Sequence, residues 1–393
     1  MLPRSSGDCA MTAQHGGGVA IRSFGGPAGS EHFILVEAPD ADGFDAQRRG
    51  LEARYEQALK RLALGTDSAV FRRVFCSDLQ NQAALLPASG LLDEKVAVSV
   101  VQQAPLSGRK LALLAYHIEA PQPLEKLRLS RHHLLVAKGG QQHLWSTRMC
   151  CGMDGPGLSA YDQTTQIFEG FRRALECQGG NLRDHCVRTW IYLRDVDLFY
   201  QGMVEARTRH FSAHGLTQDS HYLASTGIEG ACSHRWDLVS MDAYSVLDLQ
   251  PAQMSFLNDF SAMCPTRDYG VTFERGTRIG YADRAHHFIS GTASIDAQGQ
   301  VMNEGRVGPQ LGRALDNVEA ILRPGGAALT DMMYLLVYLR DPADAAEVRR
   351  SLKQRLPMVP ALLVQGAVCR PEWLVEVEGV AISRDSRPDL PPF

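Results

Sequence analysis

Glu376 and Glu378 stand two apart in the run Leu374-Val375-Glu376-Val377-Glu378. On a strand that spacing puts both carboxylates on one face. A carboxylic acid held neutral by partial burial can act as a general acid toward a vinyl ether or an imine. The plainer alternative for Glu376 is a salt-bridged or solvent-facing strand residue. Arg275, Arg278 and Arg370 offer guanidinium forks that suit planar carboxylates. Arg275 and Arg278 are three apart, so on a strand they point to opposite faces and at most one serves a site. Tyr269 could hydrogen-bond a carboxylate or simply pack half-buried. Cys369 could tune a site, act as a nucleophile, or be a small buried apolar residue. Ser290 and Thr292 share a strand face and could line a pocket, with Gly291 between them allowing a ring to approach closely.

The elements that position these residues are visible through a duplication. Gly179-Gly180 leads into Tyr192-Leu193-Arg194-Asp195, and Gly325-Gly326 leads into Tyr338-Leu339-Arg340-Asp341. Both pairs of landmarks are 146 residues apart. A period this long means fused domains and not a solenoid. Helical spacing of apolar residues predicts helices over 159–177, 197–214, 308–322 and 343–355, with a further one over 45–64. Alternating or β-rich runs predict strands over 70–76, 96–101, 110–118, 185–193 and 236–247. In the second copy they predict strands over 271–281, 288–295, 332–339, 361–368 and 374–382. Residues 1–29 are Gly-, Ser- and Ala-rich and read as a loose leader, not a signal peptide. Asp78, Gln80, Asn81 and Gln82 form a polar cluster with no assignable role.

Composition narrows the function. Of 393 residues, 45% are hydrophobic and 21% charged, the balance of a globular chain, and the length predicts two or three domains. A net charge of −4 gives no basic surface for nucleic acid, and the sequence has no apolar run of membrane-spanning length. The nine cysteines lack zinc-site spacing, which fits reduced thiols in the cytoplasm. His132-His133 and His286-His287 are adjacent pairs whose side chains diverge on a strand, so no metal is expected. No phosphate loop or dinucleotide fingerprint appears, so no cofactor is expected either.

Three blocks carry a family resemblance: Phe288-Ile289-Ser290-Gly291-Thr292-Ala293-Ser294-Ile295-Asp296, Val337-Tyr338-Leu339-Arg340-Asp341, and Val375-Glu376-Val377-Glu378-Gly379-Val380-Ala381. Over about 272–382 this resembles the Rid superfamily of enamine/imine deaminases, also called YjgF or endoribonuclease L-PSP-like. The first copy, about 96–247, looks like a diverged member with an insertion around 121–157. The resemblance implies a chorismate mutase-like α+β fold and a trimeric or pseudo-trimeric barrel with sites at the seams. Deaminating members hold the substrate carboxylate with an arginine at the start of the strand before the final hairpin, and that position here is Ala361. Cys369-Arg370-Pro371-Glu372-Trp373-Leu374-Val375-Glu376 instead resembles the Cys-Arg and Glu arrangement of chorismatases. The stretch from Asp268 to Thr277 is similar to theirs as well. Chorismatases are tandem Rid-fold enzymes that remove the enolpyruvyl group of chorismate.

Aligning the two closing strands sets Ser240 against Glu376 and Asp242 against Glu378. Features kept in both copies read as scaffold, and Glu376 with Cys369-Arg370 belongs to one copy alone. The expected architecture is α+β: two fused Rid-like units, each a mixed sheet with two helices on one face. Residues 1–95 form a partly disordered extension with one helix, 96–250 the diverged unit, and 268–385 the unit carrying the site. The resemblance implies a chorismatase-like hydrolase acting on chorismate or a similar carboxylated enol ether. Glu376 would be the acid and Arg370 and Arg275 the anchors, with Tyr269, Ser290, Thr292, Cys369 and Gly291 around the substrate. The alternatives are an imine deaminase with a relocated anchor and a non-catalytic metabolite-binding protein. The expected partner is a small carboxylated metabolite, in a homotrimer or pseudo-trimeric assembly, without nucleic acid or membrane.

Overall fold

A computed structural model describes residues 10–232 and 234–393, leaving aside the side chain of Tyr269. Three six-stranded sheets repeat one topology. The first contains β1 Ala10–Gly16, β2 Val19–Gly26, β3 Gly29–Glu37, β4 Ala69–Cys76, β5 Ala97–Gln102 and β6 Leu111–Glu119, with helices α1 Gly43–Leu62 and α2 Leu79–Gln82. The second contains β7 Glu125–Arg128, β8 His133–Lys138, β9 Gln141–Met149, β10 Cys186–Leu193, β11 Ala224–Glu229 and β12 Val239–Val246. Its helices are α3 Ala160–Cys177, α4 Leu182–His185 and α5 Val196–Ala213. The third contains β13 Met254–Leu257, β14 Gly276–Gly280, β15 Arg284–Ala293, β16 Met332–Leu339, β17 Ala361–Gln365 and β18 Val375–Arg384, with α6 Val307–Leu322 and α7 Ala345–Arg355. In each sheet the last strand lies between the third strand of the meander and the strand that follows the first long helix. One pair per sheet is parallel: β4–β5, β10–β11 and β16–β17.

The architecture is therefore α+β as expected, but with three units where the duplication predicts two. Residues 97–102 and 111–119 do not open the second sheet; they complete the first, pairing with β4 and β3. The stretch from Ala10 to Gly26, read as a loose leader, is a β-hairpin. The first unit escaped the repeat because its tetrad has become Phe75-Cys76-Ser77-Asp78 and it lacks the glycine pair. Only the aspartate survives, and its reason is local. Asp78, Asp195 and Asp341 each accept a hydrogen bond from a backbone N–H at the start of the next helix, from Asn81, Leu198 and Ala343. That accounts for the polar cluster around Asp78.

The helices bury the faces their periodicity predicts. Ile167, Phe168, Phe171 and Leu175 are buried on α3, and Leu311, Leu315, Val318 and Ile321 on α6. The sheets meet in a shared core of aromatic rings, with Phe71 stacked on Trp145 at 4.9 Å and Tyr244 against Phe288 at 5.3 Å between centroids. Beside it lies a buried ionic centre drawn from all three units. Glu378 accepts from Arg188 at 2.6 Å and from Tyr338 at 2.8 Å, with Arg73 at 3.7 Å. Asp242 accepts from Ser99 at 2.5 Å and lies 3.4 Å from Arg73. Ions this deeply buried are tolerated only when paired and hydrogen-bonded.

Each unit touches both others. β11 of the second runs beside β15 of the third, where the Ser225 N–H donates to Ser290 Oγ at 2.9 Å. β17 of the third lies against residues 104–106 of the first, where Leu106 N–H donates to the Leu363 carbonyl at 2.9 Å. None of the described helices is long and apolar enough to cross a membrane.

Candidate active site

The closing strand β18 carries Glu376 into a narrow cleft at the seam between the second and third units. Its empty volume, mouth included, is about 450 Å³. From the third unit the lining includes Phe273, Arg275, Gly291, Ala293, Cys369, Trp373 and Glu376; from the second come Tyr200 and Arg207 on α5 and Ser225, Thr226 and Gly227 on β11. Glu376 is 5% exposed. Burial, and then the charge of Glu378, pushes its carboxyl up to about 8, while Arg188 and Arg275 pull it partly back. Glu376 and Glu378 share a strand face, yet their roles diverge because Glu378 already has Arg188 and Tyr338 as partners.

Gly291 explains itself. A Cβ at this position would lie 2.1 Å from Glu376 Oε1 and 3.1 Å from Thr226 Cγ2. The register between β15 and β18 shifts between Ile289 and Thr292, so the glycine sits at a bulge that admits the carboxyl. Its N–H donates to Thr226 Oγ1 at 2.8 Å, pinning the bulge to the second unit.

The other expected site residues divide. Arg275 lines the cleft, 4% exposed, with its guanidinium 5.3 Å from the centre of the Phe273 ring and donating to the Cys264 carbonyl at 3.2 Å. Arg278, on the opposite face, pairs with Asp385. Cys369 lines the cleft too, but burial and the Glu376 carboxyl push its thiol up to about 12. That argues against a nucleophile, which must be a thiolate. Arg370 is outside the lining, stacked at 4.8 Å on Trp373, which lines it. Ser290 and Thr292 turn away. Strand alternation sends Gly291 and Ala293 into the cleft, while Ser290 donates to the Glu274 carbonyl at 2.6 Å and Thr292 to the Ser290 carbonyl at 2.8 Å. The backbone of Tyr269 lies in a short helical turn, and its side chain lies outside the described residues.

The carboxylate anchor needs re-reading as well. Ala361 pairs with Leu335, and the equivalent position of the second unit is Ser225, which pairs with Thr189. Ala361 serves the seam with the first unit; at the Glu376 cleft the corresponding residue is Ser225. The arginines at this seam come instead from Arg275 and from Arg207, buried on α5. Nothing local in the sequence marks Arg207, because it belongs to the other unit.

The profile of the family described as endoribonuclease L-PSP matches residues 281–383. The match falls on the third unit, from the turn before β15 to the end of β18. The 3-aminoacrylate deaminase RutC of Acinetobacter baylyi is 28% identical over 96 residues, 24% of this chain and 76% of that protein. The 3-hydroxybenzoate synthase of Streptomyces hygroscopicus is 31% identical over 105 residues, 24% of this chain and 31% of that protein, so the match spans under a third of that relative. A crystal structure of a chorismatase superposes with a TM-score of 0.63 at 18% identity, covering 90% of this chain and 98% of that one. At that identity the likeness shows a shared fold across the chain's three units.

Proposed function

We propose that the cleft at the seam of the second and third units hydrolyses the enol ether of chorismate or a closely similar dicarboxylate. One observation carries this reading: a buried carboxyl raised to about 8 shares a narrow cleft with two buried arginines. Glu376, protonated at neutral pH, donates its proton to the terminal methylene carbon of the enolpyruvyl group, which becomes a methyl. The resulting oxocarbenium carbon takes up water. The Glu376 carboxylate recovers the proton, and collapse of the hemiketal breaks the ether C–O bond to release pyruvate and a ring alcohol. Arg275 and Arg207 hold the carboxylates. The chorismatase fold and the hydroxybenzoate-forming relative support this substrate class.

Incubating the purified chain with chorismate and following pyruvate, with chromatography of the ring product, tests the proposal. Pyruvate with a dihydrodiol or hydroxybenzoate supports it, and intact chorismate sinks it. A second reading, imine hydrolysis, draws on the RutC relative. Ammonia released from 2-aminoacrylate, with chorismate untouched, would favour that reading. If Glu376→Gln leaves ligand affinity and every turnover unchanged, a non-catalytic role takes precedence.

A further inference from the structure

The seam between the first and second units holds the counterpart of the Glu376 cleft, and it has a different chemistry. Ser240 pairs with Tyr192 as Glu376 pairs with Tyr338, so the acid is missing there. The loop before β12 nevertheless repeats the spacing of the loop before β18: Cys232 to Trp236 matches Cys369 to Trp373. On this second loop two further residues, His234 and Asp237, turn toward the end of β9, where Cys150 follows Met149. Ligand atoms of Cys150, His234 and Asp237 all lie within 4.8 Å of one another. His234 Nδ1 is 3.0 Å from Asp237 Oδ2, and Cys232 Sγ is 3.3 Å from the same oxygen. We propose that Cys150, Cys232, His234 and Asp237 form a tetrahedral site for a soft divalent cation, Zn(II), that staples the end of β9 to the loop before β12.

Four arguments carry this. The donor set is two thiols, an imidazole and a carboxylate, the mixture structural zinc takes. In a tetrahedral zinc site neighbouring donors are about 3.3–3.8 Å apart, and the two separations to Asp237 Oδ2, 3.0 Å from His234 and 3.3 Å from Cys232, lie at or just under that range. The ligands are already held in place. Asp237 is 1% exposed, and its other oxygen accepts from the Gly152 N–H at 2.9 Å, which fixes the carboxylate from behind. Arg194 braces the loop by donating to the carbonyls of His234 at 2.6 Å and Asp237 at 3.1 Å.

Charge also closes. Two thiolates and a carboxylate around a dication leave one net negative charge, and Arg131 and Arg148 line the same pocket as Cys150, Cys232 and His234. All four coordination positions come from protein, so the site is structural and leaves no open position for substrate. The proposal stands apart from the reading of the Glu376 cleft and survives if that fails.

The full chain, produced without a polyhistidine tag and reconstituted with zinc, is washed with a weak chelator and its metal content measured by mass spectrometry. The expected result is one zinc per chain. Cobalt(II) substituted for zinc should show tetrahedral d–d bands with thiolate-to-metal charge transfer, and zinc should protect two thiols from modification. Cys150→Ser/Cys232→Ser should lose the metal and the charge-transfer band. His234→Gln, a change at a half-exposed ligand, keeps the test decisive if the cysteine variant does not fold: it should release zinc to the chelator while circular dichroism stays native. Absence of stoichiometric zinc, zinc retained by the variants, a cobalt spectrum without sulfur charge transfer, or a Cys150–Cys232 disulfide in metal-replete protein would each overturn the proposal.

Discussion

Glu376 Oε1 occupies space that any side chain at position 291 would fill, since a Cβ there would lie 2.1 Å away. The acid and the glycine bulge are one device. Gly291→Ala must push the carboxyl off its position or distort β15. The expected outcome is a fall in kcat of about 100-fold, because displacement near 1 Å costs about that much. Overpacking should add about 1–3 kcal/mol of destabilisation. Steady-state kinetics and denaturant melts of the same variant check both.

The pH profile should report the acid. With its carboxyl raised to about 8, Glu376 is protonated below that pH, so the rate should hold through neutrality and fall as pH rises past 8. Glu376→Gln should lower kcat by about 100- to 10,000-fold and erase this limb.

The same group makes a stability prediction. Its folded value exceeds the ordinary 4.5, so between pH 4.5 and 8 the native state holds a proton that the unfolded chain has released. Stability contributed by this group therefore falls as pH rises through that window. Glu376→Gln should be more stable than the parent at pH 8 and similar at pH 4.5, as thermal melts at the two pH values will show.

Arg275→Gln and Arg207→Gln should each weaken substrate binding by about 10- to 100-fold, the value of a hydrogen bond to a charged group. Arg370→Gln, outside the cleft lining and stacked on Trp373, should do less. Titration calorimetry with the Glu376→Gln background separates binding from turnover. Equal losses for all three arginines would contradict the assignment.

Glu378 should behave as scaffold. Glu378→Ala strands the buried Arg188 guanidinium, while Arg73 keeps Asp242, and should cost about 3–5 kcal/mol, since breaking a buried pair leaves an uncompensated charge. Chemical denaturation measures it. A stable but inactive variant would instead move the catalytic role from Glu376 to Glu378.

Much of this site was legible along the chain. Glu376 stood out because the first copy has serine in its place, and Arg275 stood out from Arg278 as one of two opposite strand faces. Gly291 was legible as a point of close approach. Ser290 and Thr292 were misplaced because alternation determines which residues share a face, and not whether that face turns toward the cleft or the neighbouring unit. Arg207, Ser225 and Thr226 could not be read at all, since they join Glu376 only across a seam. The cysteines escaped for a similar reason: Cys150 is far in sequence from Cys232, His234 and Asp237, so no local spacing marks the group.

Local patterning by itself determined the helices, most strands, the capping aspartates and the membership of 281–383 in a known family. These are short-range matters of periodicity, hydrogen-bond supply and turn chemistry. Tertiary structure alone decided that there are three units, because the first retains the strand order and has lost the landmarks. It also decided which face of β15 turns into the cleft and which arginines meet the acid. Those depend on contacts between units, and the raised pKa of Glu376 is their product: burial at a seam next to a second carboxylate.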